Sequence, residues 1–301
     1  MALNRLSEVD EDLSSNDDYD LYDAHEEEDE YNDDISSLHA EQPPIHPVPS
    51  MQAAFEESIS EASETKREDG DPKTNAEFRR KELLDQEEFD DSWTTRWKQS
   101  KSAQCHPLLK LMAQIIFGMH LLHQEQAKSA PEVVNILQVH VDDIDGFLEK
   151  TTEDFDLAIH DIEERVSYLR LPMTHVEVFD IMLDDKKFRT QLIEGNEKIE
   201  NIIARSAKAM NAALLDVQKG LNANQELAWY LDTVRDDWPR QSSEQTAIYV
   251  AMQGNEEGWK QCMTDLQMKG KRLGSALVKL GTVVGEMSRL AAAASRRDKV
   301  C

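Results

Sequence analysis

Residues 174–238 read THVEVFDIMLDDKKFRTQLIEGNEKIENIIARSAKAMNAALLDVQKGLNANQELAWYLDTVRDDW, and no proline follows Pro172 until Pro239. Apolar residues recur here at helical spacing: Val176, Phe179, Leu183, Leu192, Ile199, Ile203, Met210 and Val217. Met210, Val217, Asn224, Leu231 and Trp238 keep a seven-residue step, with Ala207, Leu214, Leu221 and Ala228 as a second seam. Thr174 and Glu177 have the Ser/Thr-x-x-Glu spacing of a capping box just after Pro172. The expectation is a single helix about 97 Å long. So long an apolar stripe needs a cover, and the cover must come from the rest of the chain.

Two neighbouring stretches have the same character. In 107–170 a first stripe runs through Leu108, Met112, Ile115, Met119 and Leu122, and Pro131 then predicts a kink. Beyond it Val134, Val141, Leu148, Phe155, Ile162 and Leu169 form a strict heptad ladder, flanked by Leu137, Ile144, Thr151 and Ala158. Leu171–Pro172 should end this run, because a residue before proline avoids the helical region. In 242–297, with Ser242 or Ser243 as its cap, the seams are Trp259, Leu266, Leu273, Leu280, Met287, Ala294 and Met263, Leu277, Val284, Ala291. Gly270 and Gly274, and Gly281 and Gly285, are four apart and predict close helix contact. Short turns between runs of similar length force antiparallel neighbours. The fold class is therefore all-α: an elongated antiparallel three-helix bundle or coiled coil, on the order of 90 Å long, with a disordered acidic N-terminal tail.

The chain divides into 1–75, a disordered acidic tail; 76–106, a short amphipathic helix and linker; and 107–301, the bundle. The net charge of -27 is concentrated in the tail, where Asp17 to Asp34 carry almost no counter-charge. Such a segment cannot bury enough apolar surface to offset its ordering entropy. Tyr19, Leu21, Tyr22 and Tyr31 lie among the acids, and Ser7, Ser14, Ser15 and Ser58 each precede an acid by three positions. Pro43, Pro44, Pro47 and Pro49 predict an extended spacer. In the linker Phe89, Trp93 and Trp97 are four apart on one helix face, either a partner-docking stripe or a face folded back on the rod. Cys105, Cys262 and Cys301, odd in number and widely spaced, point to a reducing compartment. No membrane span, secretory signal or transit peptide is recognised, so a cytoplasmic protein is expected.

Chemistry-bearing motifs are scarce. A phosphate loop, a nucleophile elbow and a Cys-x-x-Cys are all missing from the sequence. His120 and His123 share a helix face but lack further ligands, so no metal and no cofactor is expected. The carboxylate pairs Asp142–Asp143 and Asp184–Asp185 fall on solvated helix faces, and no catalytic residue is assigned. Asn224, polar in an apolar seam, is a candidate register-fixing residue. The acidic balance argues against nucleic acid. Basic residues gather locally, as Lys186, Lys187 and Arg189 and as Arg296, Arg297 and Lys299. An up-down-up path brings both groups to one end, so an antiparallel homodimer would set the acidic tail of one copy on the basic end of the other. The expected function is a non-enzymatic helical scaffold for protein–protein interaction, self-associating through the rod. In helix number and length, residues 107–297, with kinks near Pro131 and Gly195, resemble the BAR-domain superfamily. That resemblance implies a membrane-binding or membrane-shaping module. Its basic face would here be restricted to the end carrying Lys186, Lys187, Arg189, Arg296 and Arg297.

Overall fold

The computed structural model describes residues 43–64, 75–86, 89–90, 92–238 and 243–298. The chain divides into units 1–45 and 46–301, and every described helix lies in the second. These helices are α1 (Gln52–Glu64), α2 (Ala76–Asp85), α3 (Trp93–Arg96), α4 (Pro107–His123), α5 (Ala130–Thr174), α6 (Val176–Asp184), α7 (Lys186–Val234) and α8 (Ser243–Asp298). Among the described residues there is no strand, and no helix is long and apolar enough to cross a membrane.

The axis of the second unit is α8. Both of its seams are buried along their whole length, from Trp259 to Ala294 and from Met263 to Ala291. α7 lies antiparallel to it in constant register: Leu214 meets Gly270, Met210 faces Gly274, and Asn196 Nδ2 donates to Ser288 Oγ at 2.8 Å. α5 runs parallel to α8 on another face. Trp259 Nε1 donates to Asp145 Oδ1 at 2.7 Å, Arg272 pairs with Glu163, and Val141, Leu148, Phe155 and Ile162 are buried. α5 and α7 each pack extensively on α8 but meet one another at few points. The space between them is filled by other elements: α4 at one end, α2 in the middle and α6 at the far end.

Several expectations change. Residues 107–170 do not form one kinked helix, because α4 ends at His123 and folds back beside α5, with Gly118 opposite Leu137 and Val133. Glu125 turns the chain at φ 55°, and Gln126 N–H donates to Leu121 O at 3.0 Å. This is the left-handed helix ending usually given to glycine, here carried by a glutamate. Pro131 is not a kink. It sits in the first turn of α5, where its missing N–H costs nothing, behind Ser129, whose Oγ accepts from Glu132 N–H. Gly195 does not kink α7, which is continuous from Lys186 to Val234. Leu171–Pro172 do not end α5. Pro172 lies within two residues of its end, so few of the helix hydrogen bonds are lost, and the helix reaches Thr174. Thr174 and Glu177 form no capping box: Thr174 Oγ1 donates back to Leu171 O, and α6 starts at Val176 with no side-chain cap. The long run breaks a second time at Asp185, whose carboxylate accepts from Lys187 N–H and caps α7.

The tail boundary at residue 75 also moves. Residues 1–42 and 65–74 lie outside the described residues, as do Ser242, Lys299 and Cys301, but 46–64 are part of the fold. Val48, Met51, Ala54 and Phe55 are buried against α4, and the Phe55 and Phe117 rings are 4.2 Å apart. His46, 2 % exposed, bridges Val48 O and Ala113 O through its two ring nitrogens. Lys110 is buried between Glu57 (2.8 Å) and Glu61 (2.5 Å). Burial would lower the Lys110 pKa, but its bonds to the two glutamates outweigh that and raise it.

Candidate functional site

Trp93 opens the four-residue helix α3, and Trp97 follows its last turn; they do not share one long helix with α2. Lys98 at φ 50° turns the chain after them, with Gln99 N–H donating to Thr94 O. The segment folds back onto the bundle. Trp97 packs on Phe147 of α5 and on His106, with centroids 5.1 and 5.2 Å away, and Trp93 lies 5.4 Å from His106. Phe89 is half-buried over the same region. The docking stripe expected of Phe89, Trp93 and Trp97 is in large part an internal contact.

What gathers these residues is Asp216 of α7, 5 % exposed. Its Oδ1 accepts from Arg96 Nη2 at 2.6 Å and from His106 Nε2 at 3.2 Å, and its Oδ2 accepts from Trp97 Nε1 at 3.0 Å. His106 is also the N-cap of α4: its Nδ1 accepts from Leu108 N–H at 3.3 Å, which leaves Nε2 as the donor. Burial pushes the Asp216 carboxyl up, and the bonds from His106, Arg96 and Trp97 outweigh that and hold it below the usual aspartate range. With three donors in place the carboxylate is satisfied, so it serves as an anchor for the linker and for the start of α4.

Beside the anchor is a cavity of about 540 Å³. Its walls come from α5 (Phe147, Phe155, Ala158), α7 (Ser206, Ala209, Ala213) and the linker (Phe89, Trp97), with Leu273 of α8 among the lining side chains. α2 lies across it as a strap. None of the strap's residues is buried. It is held by arginines: Arg79 to Asp154 and Glu153, Arg80 to Asp161, and Arg205 of α7 to the Leu83 and Leu84 carbonyls. Ser206 Oγ, in a residue 2 % exposed, has no hydrogen-bond partner.

The remaining sites fall elsewhere. Lys186 and Lys187, at the start of α7, and Arg296 and Arg297, at the end of α8, are exposed at one end; Arg297 lies 3.8 Å from Asp184. Arg189 is not part of a basic surface. It is buried, and its Nη1 donates to Leu183 O and Asp184 O, closing the end of α6. A Cβ at Gly270 would lie 2.8 Å from Leu214, but at Gly274 and Gly281 it would have only ordinary contacts and at Gly285 none within 4 Å. Of these four glycines, only Gly270 makes a close approach. His120 faces Tyr230 and His123 stacks on Trp238, and no group of three metal-ligating side chains forms among the described residues. Asn224 Nδ2 donates to Glu256 O and Oε1 at 3.1 and 2.9 Å, tying α7 to α8.

Around α6 the surface changes. Phe179 and Leu183 are buried against Val283, Met287 and Ala291 of α8, but the opposite side is apolar too. Val176, Val178, Ile181 (72 % exposed) and Met182 face outward, joined by Tyr168, Leu171 and Ile193 from the flanking helices. Comparison of the chain with protein-family models, curated proteins and solved structures gives no match.

Proposed function

We propose that this protein is a helical interaction module that associates with a second copy of itself through the end built by α6. The observation that supports this reading is the run of exposed apolar residues on α6 and the adjoining helix ends: Val176, Val178, Ile181, Met182, Tyr168, Leu171 and Ile193. Large outward apolar groups in one place mark an interaction surface. The heptad seams are not open for the purpose, because α8 spends both of its own on α5 and α7 within the chain. The choice of a second copy rests on charge. The chain carries a net -27, yet the charges on α6 and on the adjoining helix ends are of both signs: Glu177, Asp180, Asp184 and Asp185 with Arg170, Lys186, Lys187, Arg296 and Arg297. Mixed charge beside apolar groups complements itself across a two-fold axis, where each copy sets its acids on the other's lysines.

Sedimentation velocity over a concentration series tests this. The full chain should show a monomer–dimer equilibrium that the Val178→Asp/Ile181→Asp variant abolishes. Lys186→Glu/Lys187→Glu should weaken it, and mixing that variant with Glu177→Lys/Asp180→Lys should restore association between unlike copies. A chain that stays monomeric, or a dimer indifferent to Val178→Asp/Ile181→Asp, removes the reading. A lipid surface is the second reading, favoured by Lys186, Lys187 and Arg296 beside the same apolar groups. It would show as pelleting of a monomeric chain with anionic vesicles, lost in the same variant.

A further inference from the structure

The cavity under α2 does not belong to the α6 end. Its volume, about 540 Å³, falls in the range of small-molecule sites. We propose that it binds a neutral, ring-based apolar molecule carrying one hydroxyl or carbonyl group, which Ser206 hydrogen-bonds.

Three features of the cavity select this chemistry. The first is the ring lining: Phe89, Trp97, Phe147 and Phe155 offer faces and edges to a flat apolar body. The second is charge. Asp216 is saturated by Arg96, His106 and Trp97, Arg79 pairs with Asp154 and Glu153, and Arg80 pairs with Asp161. The other charges on the wall are of both signs, Lys150 against Glu82 and Asp143, so a charged ligand would gain no net counter-charge. The third is Ser206, a lining residue whose Oγ is buried without a partner and reaches the cavity by rotation about χ1. An unmade hydrogen bond at a buried hydroxyl is costly, and a ligand hydroxyl or carbonyl would satisfy it.

The strap supplies the entry. No residue of α2 is fully buried, and what holds it across the opening is the contacts of Arg79, Arg80 and Arg205 together with the half-buried Leu83 and Leu84. The arginine side chains are 10–15 % exposed and their carboxylates 20–51 %, and salt weakens the pairs from the carboxylate side. The strap shares no fully buried residue with α5, α7 or α8, so it is the element whose lifting would admit a ligand, and salt should speed exchange in both directions.

Nile red, a neutral fused-ring dye with one carbonyl, is a suitable probe for the full-length chain. The expected result is saturable binding at one site with a blue-shifted emission. Ala209→Trp and Ala213→Phe each fill the cavity from α7 and should abolish binding, provided the melting profile shows a folded chain. Ser206→Ala should weaken binding about five- to tenfold, the worth of one neutral hydrogen bond. Arg205→Ala should raise the association and dissociation rates together. Non-saturable uptake, binding that survives both filling variants, or a Ser206→Ala affinity equal to wild type would each overturn the proposal. Val178→Asp/Ile181→Asp should leave dye binding unchanged; loss of binding in that variant would place the dye on the α6 end and also overturn it.

Discussion

Replacing Asp216 by alanine tests the anchor on which the linker, α4 and the cavity wall converge. The substitution removes the acceptor of three hydrogen bonds, from Arg96, Trp97 and His106. It leaves the Arg96 guanidinium, whose side chain is 21 % exposed, without its carboxylate. Breaking one side of a buried pair costs about 3–5 kcal/mol, most of it from the charge left behind. For a domain of this size that corresponds to a fall in melting temperature on the order of 10 °C. Arg96→Met in the Asp216→Ala background removes the guanidinium charge as well, so the double variant should recover part of the loss. Chemical denaturation followed by tryptophan fluorescence is the assay, because Trp93 and Trp97 lie at the site. Asp236→Ala, an exposed aspartate, is the control and should shift stability by no more than about 0.5 kcal/mol. The pH dependence has a definite sign. The folded pKa of Asp216 lies below its unfolded value, so its contribution is fully present above the unfolded pKa. It is lost as the pH falls through the folded value. The gap between wild type and Asp216→Ala should therefore be constant near neutrality and close in acid. A loss below about 1 kcal/mol at pH 7, or a gap that widens in acid, would refute the anchoring argument.

Further outcomes can be checked by thermal or denaturant unfolding. Glu125→Gly should stabilise by up to about 1 kcal/mol, since it relieves a non-glycine residue at φ 55°. Gly270→Ala should destabilise by about 1–2 kcal/mol, because its Cβ would sit 2.8 Å from Leu214, whereas Gly285→Ala, with open space, should gain up to about 1 kcal/mol of helix propensity. Phe55→Ala, which empties a fully buried ring site against Phe117, should cost about 3–5 kcal/mol. Glu256 has its pKa raised by burial, so its folded state holds a proton more tightly than the unfolded chain, and stability falls as the pH rises through that window. Glu256→Gln keeps an acceptor for Asn224 and should flatten that fall, with equal or greater stability at pH 7.

The helix axes were legible and their interruptions were not. The α8 seams can be read residue by residue because this helix is covered by α5 and α7 alike, so every heptad position meets a partner. On α7 the heptad reading finds Val217, Asn224 and Leu231 but places Ala207, Leu214, Leu221 and Ala228 in a core that only half covers them. The stripe that is buried there, Asp216, Gly220, Ala223, Leu227 and Tyr230, meets α4 through His106, Leu108 and His120 and α8 through Met263, and its small and polar members carry little hydrophobic signal. The turn after α4 escaped for a local reason: Glu125 occupies a position where a glycine would have announced the end of the helix. Ser129 and Glu132 did carry a capping signal, and Pro131 beside them belongs to the same helix start rather than to a kink. Asp216 had no signal at all. Its partners lie 110 to 120 residues away, and nothing in a single helix distinguishes an aspartate awaiting donors from one facing water.

The three inserts between α5 and α7 differ in a way that bears on what each does. α4 is apolar on nearly every side: Leu108, Met112, Ala113, Ile115, Ile116 and Met119 are all at or below 1 % exposure. A helix of that composition cannot leave its site without exposing a large apolar area, so α4 is structural, and α1 closes over it. α6 buries one side through Phe179 and Leu183 and leaves an equally apolar side outward, which no requirement of the monomer explains. α2 has no fully buried residue and lies over a cavity that the side chains of α5 and α7 leave unfilled, because Ala158, Ala209 and Ala213 are too small to meet. A stable monomer would be served better by larger residues at those three alanines, since an unfilled apolar volume loses dispersion contacts on all its walls. Small residues on the walls, a removable polar strap above and one unpaired hydroxyl within are consistent with a space kept for an occupant.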